Sequence, residues 1–310
     1  MMMIKYIKPF WLLIVLGCIL SQAIAQTAHL KIATYNIRND NQGDVERGNG
    51  WQQRLPVIAQ LIRYNEFDIF GAQEVLHNQL TDLLNRVPEY NYVGVGRDDG
   101  ETKGEYAPIF YRKDRYTLVA QGNFWLGEIT NKPTKGWDAA LPRICTYAKF
   151  KSNLNGKTFW VFNLHLDHVG VLARQNSCLL VLEKIKALAG RETALLMGDF
   201  NVDQHNPIYG IINDSGLLRD AYSLSTLTYA LNGTFNAFDS DLMTDSRIDH
   251  IFVTSNVRVH KYAVLTDSYR SPKEEAKEIK KGDFPTELSF KNYSARMPSD
   301  HFPVCITVSF

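Results

Sequence analysis

The chain has almost no net charge: 34 Lys and Arg stand against 33 Asp and Glu, a formal +1 at pH 7. That leaves no bulk positive field to draw in a polyanion. No basic run interleaved with aromatics marks a nucleic-acid face either. Four cysteines in 310 residues, with no CxxC pair, supply neither a disulfide framework nor a zinc cage. Cys145, Cys178 and Cys305 read instead as small buried apolar residues. No Gly/Ser/Pro linker, fixed-period repeat or low-complexity tract divides the chain, which argues for one domain. No apolar run reaches the roughly 20 residues of a membrane-spanning helix.

What is present begins at the N-terminus. The first 25 residues carry only Lys5 and Lys8 as charges, followed by the apolar stretch Phe10–Leu20 and then Ala23-Ile24-Ala25. This is the layout of an export signal. Cleavage after Ala25 leaves residues 26–310 as the domain, with Gln26 first and both lysines lost, so the net charge goes from +1 to −1 (+1 − 2 = −1). The expected location is periplasmic or extracellular, with no stable membrane insertion once the signal is gone. Val15-Leu16-Gly17-Cys18 offers a lipoprotein anchor through Cys18 as the weaker alternative, since the bulky Leu16 fits such a box poorly.

Along the rest of the chain, short apolar runs of strand length alternate with a few helical segments, an α/β pattern with antiparallel neighbours. Strands are expected near residues 30–37, 67–73, 90–96, 108–111, 116–121, 143–149, 159–165, 193–197, 248–253, 257–264 and 303–310. Helices are expected over 171–189, 55–64 and 78–86, with Pro56 in the first turn of its helix. Polar residues gather at strand ends. Four runs finish on them: Asn36; Glu74; Asn163 and His165; Asp199 and Asn201. Two runs open on them: Asp249; Asp300 and His301. If all six clusters share one rim, the last two strands run opposite to the first four, which excludes a purely parallel sheet.

Glu74, Asp199 and Asp300, with the amides Asn36 and Asn201, make an oxygen-rich set suited to a hard cation, Mg2+ or Mn2+. Such a cation beside a phosphate neutralises charge while a base orients the attacking water. His301 is the natural base, provided a carboxylate such as Asp249 holds its other ring nitrogen. Each residue alone also has a plainer reading as a cap, turn or solvated strand end. Their co-occurrence at six strand ends favours chemistry.

TYNIR (34–38), QEV (73–75), NLHLDH (163–168), GDFN (198–201), RIDHIF (247–252) and SDHFPV (299–304) resemble, in order, the motifs of the endonuclease/exonuclease/phosphatase superfamily. The likeness runs from Lys31 to Val304. Segments GVGRDDG and KGWDAALPR are similar to those of its exported bacterial branch. The resemblance implies a four-layer α/β/β/α sandwich, deoxyribonuclease I-like, with two mixed-direction sheets and the site at one end. It implies Glu74 as a principal metal ligand supported by Asp300, with Asn36 helping to hold metal or phosphate. It further implies Asp199 orienting water, Asn201 binding phosphate, His301 with Asp249 as the base pair, and His165 donating to phosphoryl oxygens. Tyr111 stands where some members contact phosphate, with a core role as its alternative. His250 stands where many relatives have tyrosine.

The charged passage 267–297 is read as a solvated surface insertion, with a lid over the site as the alternative. Around residues 122–143, Trp125 and Trp137 could stack on substrate or fill the core, and Arg143 could clamp a phosphate; Asn163 joins the tentative substrate contacts. The favoured substrate is a small organic phosphate mono- or diester. A secreted DNA or RNA nuclease ranks second, a sphingomyelinase-like diesterase third, and a catalytically inactive binding module is the non-enzyme alternative. No sequence feature points to a protein partner.

Overall fold

A computed structural model describes residues 29–310 except 274–277, 280–282, 284 and 286. The export-signal expectation and Cys18 lie outside the described residues. One sheet runs in the order β10 (Thr228–Tyr229), β12 (Arg258–Val264), β17 (Val304–Ser309), β1 (Leu30–Asn36), β2 (Ile69–Gln73), β4 (Ile109–Arg112), β3 (Tyr90–Val93). The other runs β5 (Tyr116–Trp125), β6 (Ile144–Ser152), β7 (Thr158–His165), β8 (Ala194–Asp199), β11 (Asp249–Val253), β9 (Arg219–Asp220). Strand β1 is parallel to β2 and antiparallel to β17, and β8 is parallel to β7 and antiparallel to β11. The polar clusters that end four strands and begin two therefore meet at one rim.

Alternation along the strands builds the layers. In β1, Leu30 and Ile32 enter the core between the sheets, while Ala33 and Tyr35 face the helices α2 (Trp51–Asn65) and α3 (His77–Arg86). In β8, Leu195 and Met197 enter the same inter-sheet core, while Ala194 and Leu196 face α4 (Val171–Ala189) and α5 (Pro207–Asn213). The result is the expected α/β/β/α sandwich. All three described cysteines are free; Cys145 and Cys178 are buried as expected, whereas Cys305 is only partly buried against the core.

Three local expectations change. Helix α2 begins at Trp51, with Gly50 as its N-cap, so Pro56 sits in the second turn rather than the first. The carbonyl that loses its N–H partner there belongs to the exposed Gln52, where water can serve it. The short helices α1 (Gln42–Glu46) and α6 (Ala221–Leu224), like α5, lack the length for a readable apolar period. Within 267–297, β13 (Tyr269–Pro272) pairs with β16 (Tyr293–Arg296) and β14 (Glu278–Ile279) with β15 (Phe290–Lys291), all antiparallel. Arg296 ties the base of this ladder to the body by donating to Arg47 O at 2.9 Å and Asn49 Oδ1 at 3.2 Å.

Candidate active site

The same period-two alternation that fills the inter-sheet core delivers the polar residues to its rim. Asn36 continues the inward face of Leu30 and Ile32; Asp199 continues that of Leu195 and Met197; Asp249 precedes inward Ile251 and Val253; His165 follows inward Phe159 and Val161. Strand register sets His165 and Asp249 on either side of Asp199. Three further rim residues adopt left-handed backbone, Arg38 (φ 58°), Glu74 (φ 60°) and Asn201 (φ 50°), a sparse conformation that collects at functional sites. Gly198 (φ +148°) is held to glycine because a Cβ would stand 2.0 Å from Leu164 O.

These groups border a cavity of about 480 Å³ lined by Glu74, His165, Asp199, Asn201, Asp300 and His301, among others. His301 Nδ1 meets Asp249 Oδ2 at 2.9 Å, and its Nε2 stands 3.4 Å from Asn36 Nδ2 and 3.7 Å from Asp199 Oδ2. Asn201 Nδ2 faces His165 Nε2 at 3.1 Å and donates to Leu166 O at 3.1 Å. Because an amide nitrogen can only donate, the His165 lone pair lies on Nε2 and its hydrogen on Nδ1. That Nδ1 is buried without a hydrogen-bond partner, 3.9 Å from Glu105 Oε2.

Burial, reinforced by Arg143 and Arg97, holds His165 well below the usual imidazole range, so the ring is neutral. Burial would also lower His301, but Asp249, Asp199 and Asp300 outweigh it and push this ring up to about 10. Asp199 is pushed up to about 7 by burial and the Asp249 charge, and Asp300 is raised by burial against the pull of His301. Asp249 Oδ1 is buried without a partner. Negative charge here is thus under-compensated, and the donor set is oxygen-rich, which fits a divalent cation. Asp199, Asp249 and His301 bring ligand-type atoms within 4.8 Å of one another, but Asp249 and His301 already bond each other. Glu74 and Asp300 open onto the cavity and are the better-placed ligands, with the Arg38 Nη1 now 3.8 Å and 3.5 Å from their carboxylates.

Asn36 differs from expectation. Its Nδ2 donates to Glu74 Oε1 at 3.1 Å and Asp199 Oδ2 at 3.0 Å, while its Oδ1 accepts from Arg38 N at 3.0 Å. It positions the carboxylates, with its Oδ1 turned to Arg38 N and its Nδ2 to Glu74 and Asp199. Of the tentative substrate contacts, only Arg143 lines the cavity. Tyr111 lies in the inter-sheet core against Phe150, with ring centroids 5.0 Å apart. Asn163 is fully buried beneath the rim, bonding Gln73, Ala72 O and Pro108 O. Trp137 is half-buried away from the cavity, its backbone N–H donating to Glu128, and Trp125 fills a small core with Ala107 and Ile144. His250, adjacent to Asp249, points to the opposite sheet face, bonding Val202 O at 3.0 Å beside Phe200 and Phe252. None of the described residues of 267–297 lines the cavity.

Sequence reading missed Asn39, Glu105 and Phe235, all of which line it, and Arg38, His168 and Arg97 were legible only as parts of TYNIR, NLHLDH and GVGRDDG. A folded-back loop joins Arg97 to Glu105, with Arg97 N donating to Glu105 O at 3.1 Å and Asp98 N to Lys103 O at 3.1 Å. No strand-end signal accompanies such a loop.

Comparison with known proteins gives concordant results. The profile of the endonuclease/exonuclease/phosphatase family matches residues 33–301. A Bacteroides thetaiotaomicron protein described as a member of that family is 49% identical, with a TM-score of 0.85, covering 92% of this chain and 99% of its own. The mannosyl-6-phosphatase of Bacteroides thetaiotaomicron is also 49% identical, with a TM-score of 0.84, covering 91% of this chain and 100% of its own. The probable RNA exonuclease NGL3 of Saccharomyces cerevisiae is 26% identical over 214 residues, which are 64% of this chain and 42% of that protein.

Proposed function

We propose that this chain, which belongs to the endonuclease/exonuclease/phosphatase family and is a phosphoester hydrolase, releases phosphate from a small organic phosphate monoester with the help of Mg2+. The observation that carries the reading is a single cavity of about 480 Å³ in which His165, Asp199, Asn201, Asp300 and His301 converge. Its size suits a compact alcohol and one phosphate. The full-length likeness to a mannosyl-6-phosphatase supports a sugar phosphate as the first candidate. Phe235 is the one Phe, Tyr or Trp among the described lining residues, so no paired aromatic platform for a nucleobase is built.

Glu74 and Asp300 would hold a divalent cation, whose charge would neutralise the phosphoryl oxygens and oppose protonation of His301. Asp249 fixes the Nδ1–H of His301, leaving the Nε2 lone pair to take a proton from the attacking water. Asp199 Oδ2, 3.7 Å from that nitrogen, accepts a hydrogen bond from the same water and orients it. On the far side of Asp199, the Asn201 amide, whose two N–H groups serve His165 Nε2 and Leu166 O in the free chain, turns the second of them to oxygens on which negative charge develops.

Purified residues 26–310 assayed with Mg2+ against hexose 6-phosphates, phosphodiesters, DNA and RNA test this directly. The expected result is phosphate release from monoesters, lost with EDTA and restored by Mg2+. Preferential cleavage of RNA or DNA would replace the proposal with a nuclease, and full turnover in excess EDTA would remove the metal.

A further inference from the structure

Beside the phosphate-directed residues, the same cavity is bordered by a second polar group consisting of Arg97, Glu105, Arg143 and His168. Resting on the phosphomonoesterase reading above, we infer that Arg97, Glu105 and Arg143 form a hydroxyl-recognising subsite that selects polyol phosphates by hydrogen bonding their sugar-like portion. Arg97 and Arg143 are 93% and 97% buried, at 7% and 3% exposure. Burial of guanidinium groups at this depth requires partners for their N–H groups. Nevertheless Arg97 Nε and Arg143 Nη1 have none, and neither does His165 Nδ1 beside them. These three residues and Glu105 also border a small void of about 10 Å³ next to the cavity, room for a single hydroxyl or water oxygen.

The charges decide which acceptors. Arg97 Nη1 donates to Glu105 Oε2 at 2.6 Å, and Arg143 Nε to Asp167 Oδ2 at 3.2 Å, so two cations already face two carboxylates. A second phosphate or a carboxylate would find no excess positive charge. Hydroxyl groups both donate and accept, and match guanidinium N–H groups set beside a Glu105 carboxylate. The subsite also lies at the right distance from the chemistry. Glu105 Oε1 accepts from Asn39 Nδ2 at 3.2 Å, and the same amide donates to Glu74 Oε2 at 3.1 Å. Glu105 Oε2 is 3.9 Å from His165 Nδ1. One residue thus separates the hydroxyl-binding end from the proposed metal ligand, about the reach between a sugar ring and the phosphate it carries. A site built from buried polar groups also rejects molecules that leave them unpaired, which makes it a specificity device rather than only a source of affinity.

The test compares a hexose 6-phosphate with p-nitrophenyl phosphate, which lacks hydroxyls, in the wild type and in Arg97→Met and Glu105→Gln, all with Mg2+. The ratio of kcat/KM for the hexose ester to that for the nitrophenyl ester should fall by about 10- to 100-fold in Arg97→Met, mainly through KM, and by less in Glu105→Gln. A methyl hexoside without phosphate should inhibit the wild type competitively and inhibit Arg97→Met more weakly. Glu105→Gln keeps side-chain size, so it carries the test if Arg97→Met does not fold. Equal losses on both esters would overturn the inference by making the pair structural. A wild-type preference for hexose bisphosphates over monophosphates would overturn it in favour of an anion subsite. A wild type that cleaves no phosphomonoester marks failure of the parent reading, and this shows before any variant is made.

Discussion

His301 and Asp249 act on one proton, so their losses should not add. Replacing His301 with Ala removes the acceptor itself and should lower kcat by about 10²–10⁴-fold with little change in KM. Asp249→Asn keeps the shape but favours the wrong imidazole tautomer, and the double variant should be scarcely worse than His301→Ala alone. Circular dichroism must show each variant folded, because Asp249 is fully buried at the start of β11. A folded His301→Ala with near-normal kcat would move the base to Asp199. Next to Asp249, His250 serves stability instead. Its ring is fully buried, and burial lowers its pKa below the 6.5 of an exposed imidazole despite the nearby Asp220 charge. The folded state therefore resists a proton that the unfolded chain takes up below pH 6.5, so stability is lost as pH falls through that value, by at most about 1.4 kcal/mol per pH unit for one proton. His250→Gln should flatten the urea stability profile between pH 6.5 and 5.5. An unchanged slope would mean the ring contributes nothing to it. The gathering of Asp and His at strand ends was legible in the sequence. The direction in which the Asn36 amide faces was not, because donors and acceptors from Arg38, Glu74 and Asp199 set it, and those meet only in the folded chain.

Strands of the two sheets must be held at a fixed offset for the rim groups to meet, and Asn163 of β7 does this from below. Its Nδ2 donates to Ala72 O of β2 at 2.8 Å and to Pro108 O before β4 at 2.9 Å, while its Oδ1 accepts from Gln73 Nε2 at 2.7 Å. Gly71 in β2 leaves room for it, since a Cβ there would stand 2.5 Å from Asn163 Cγ. Asn163→Ala strands buried partners on the facing sheet and should cost about 1–3 kcal/mol for each group left unsatisfied. Gly71→Ala, which pushes the amide aside, should lower both stability and kcat. Urea midpoints measure the first effect; an Asn163→Ala midpoint equal to wild type would mean that the bridge does not couple the sheets. Nothing local in FWVFNLHLDH announces this role, because the partners come from Ala72, Gln73 and Pro108, far along the chain. Helix α4 was legible to the residue because nineteen positions carry a period. The β13 and β16 pair was not, since YRSP and YSAR show no apolar alternation and are half exposed.

For the molecule as a whole, the opposed strand directions were legible because polar residues finish some apolar runs and begin others, whereas the folded-back loop carrying Arg97 and Glu105 left no such mark. Export remains a separate proposal: N-terminal mass analysis of the secreted protein should give Gln26, and a lipidated Cys18 would instead mean a tethered form. The acids of the site come from both sheets, with Glu74 following β2, Asp300 preceding β17, and Asp199 and Asp249 on β8 and β11. A cation that binds this cluster binds only where the sheets are assembled, so it should stabilise the whole fold and not merely switch on turnover. At a concentration about 100 times its dissociation constant, Mg2+ would add about 2.7 kcal/mol. For a chain of this size that is a Tm rise on the order of 5–10 °C, reversed by EDTA. Glu74→Gln should remove most of the rise and lower the metal-free Tm only slightly, because Asn36 bonds Oε1 and Asn39 bonds Oε2 and the amide keeps one of the two acceptors. Calcium at the same ionic strength separates specific binding from general screening, since a site shaped for Mg2+ should respond to the two ions differently. If Mg2+ left the Tm unchanged while activity still required it, the cation would arrive with the phosphate ester, and Glu74 and Asp300 would have to be read as ligands completed by the substrate.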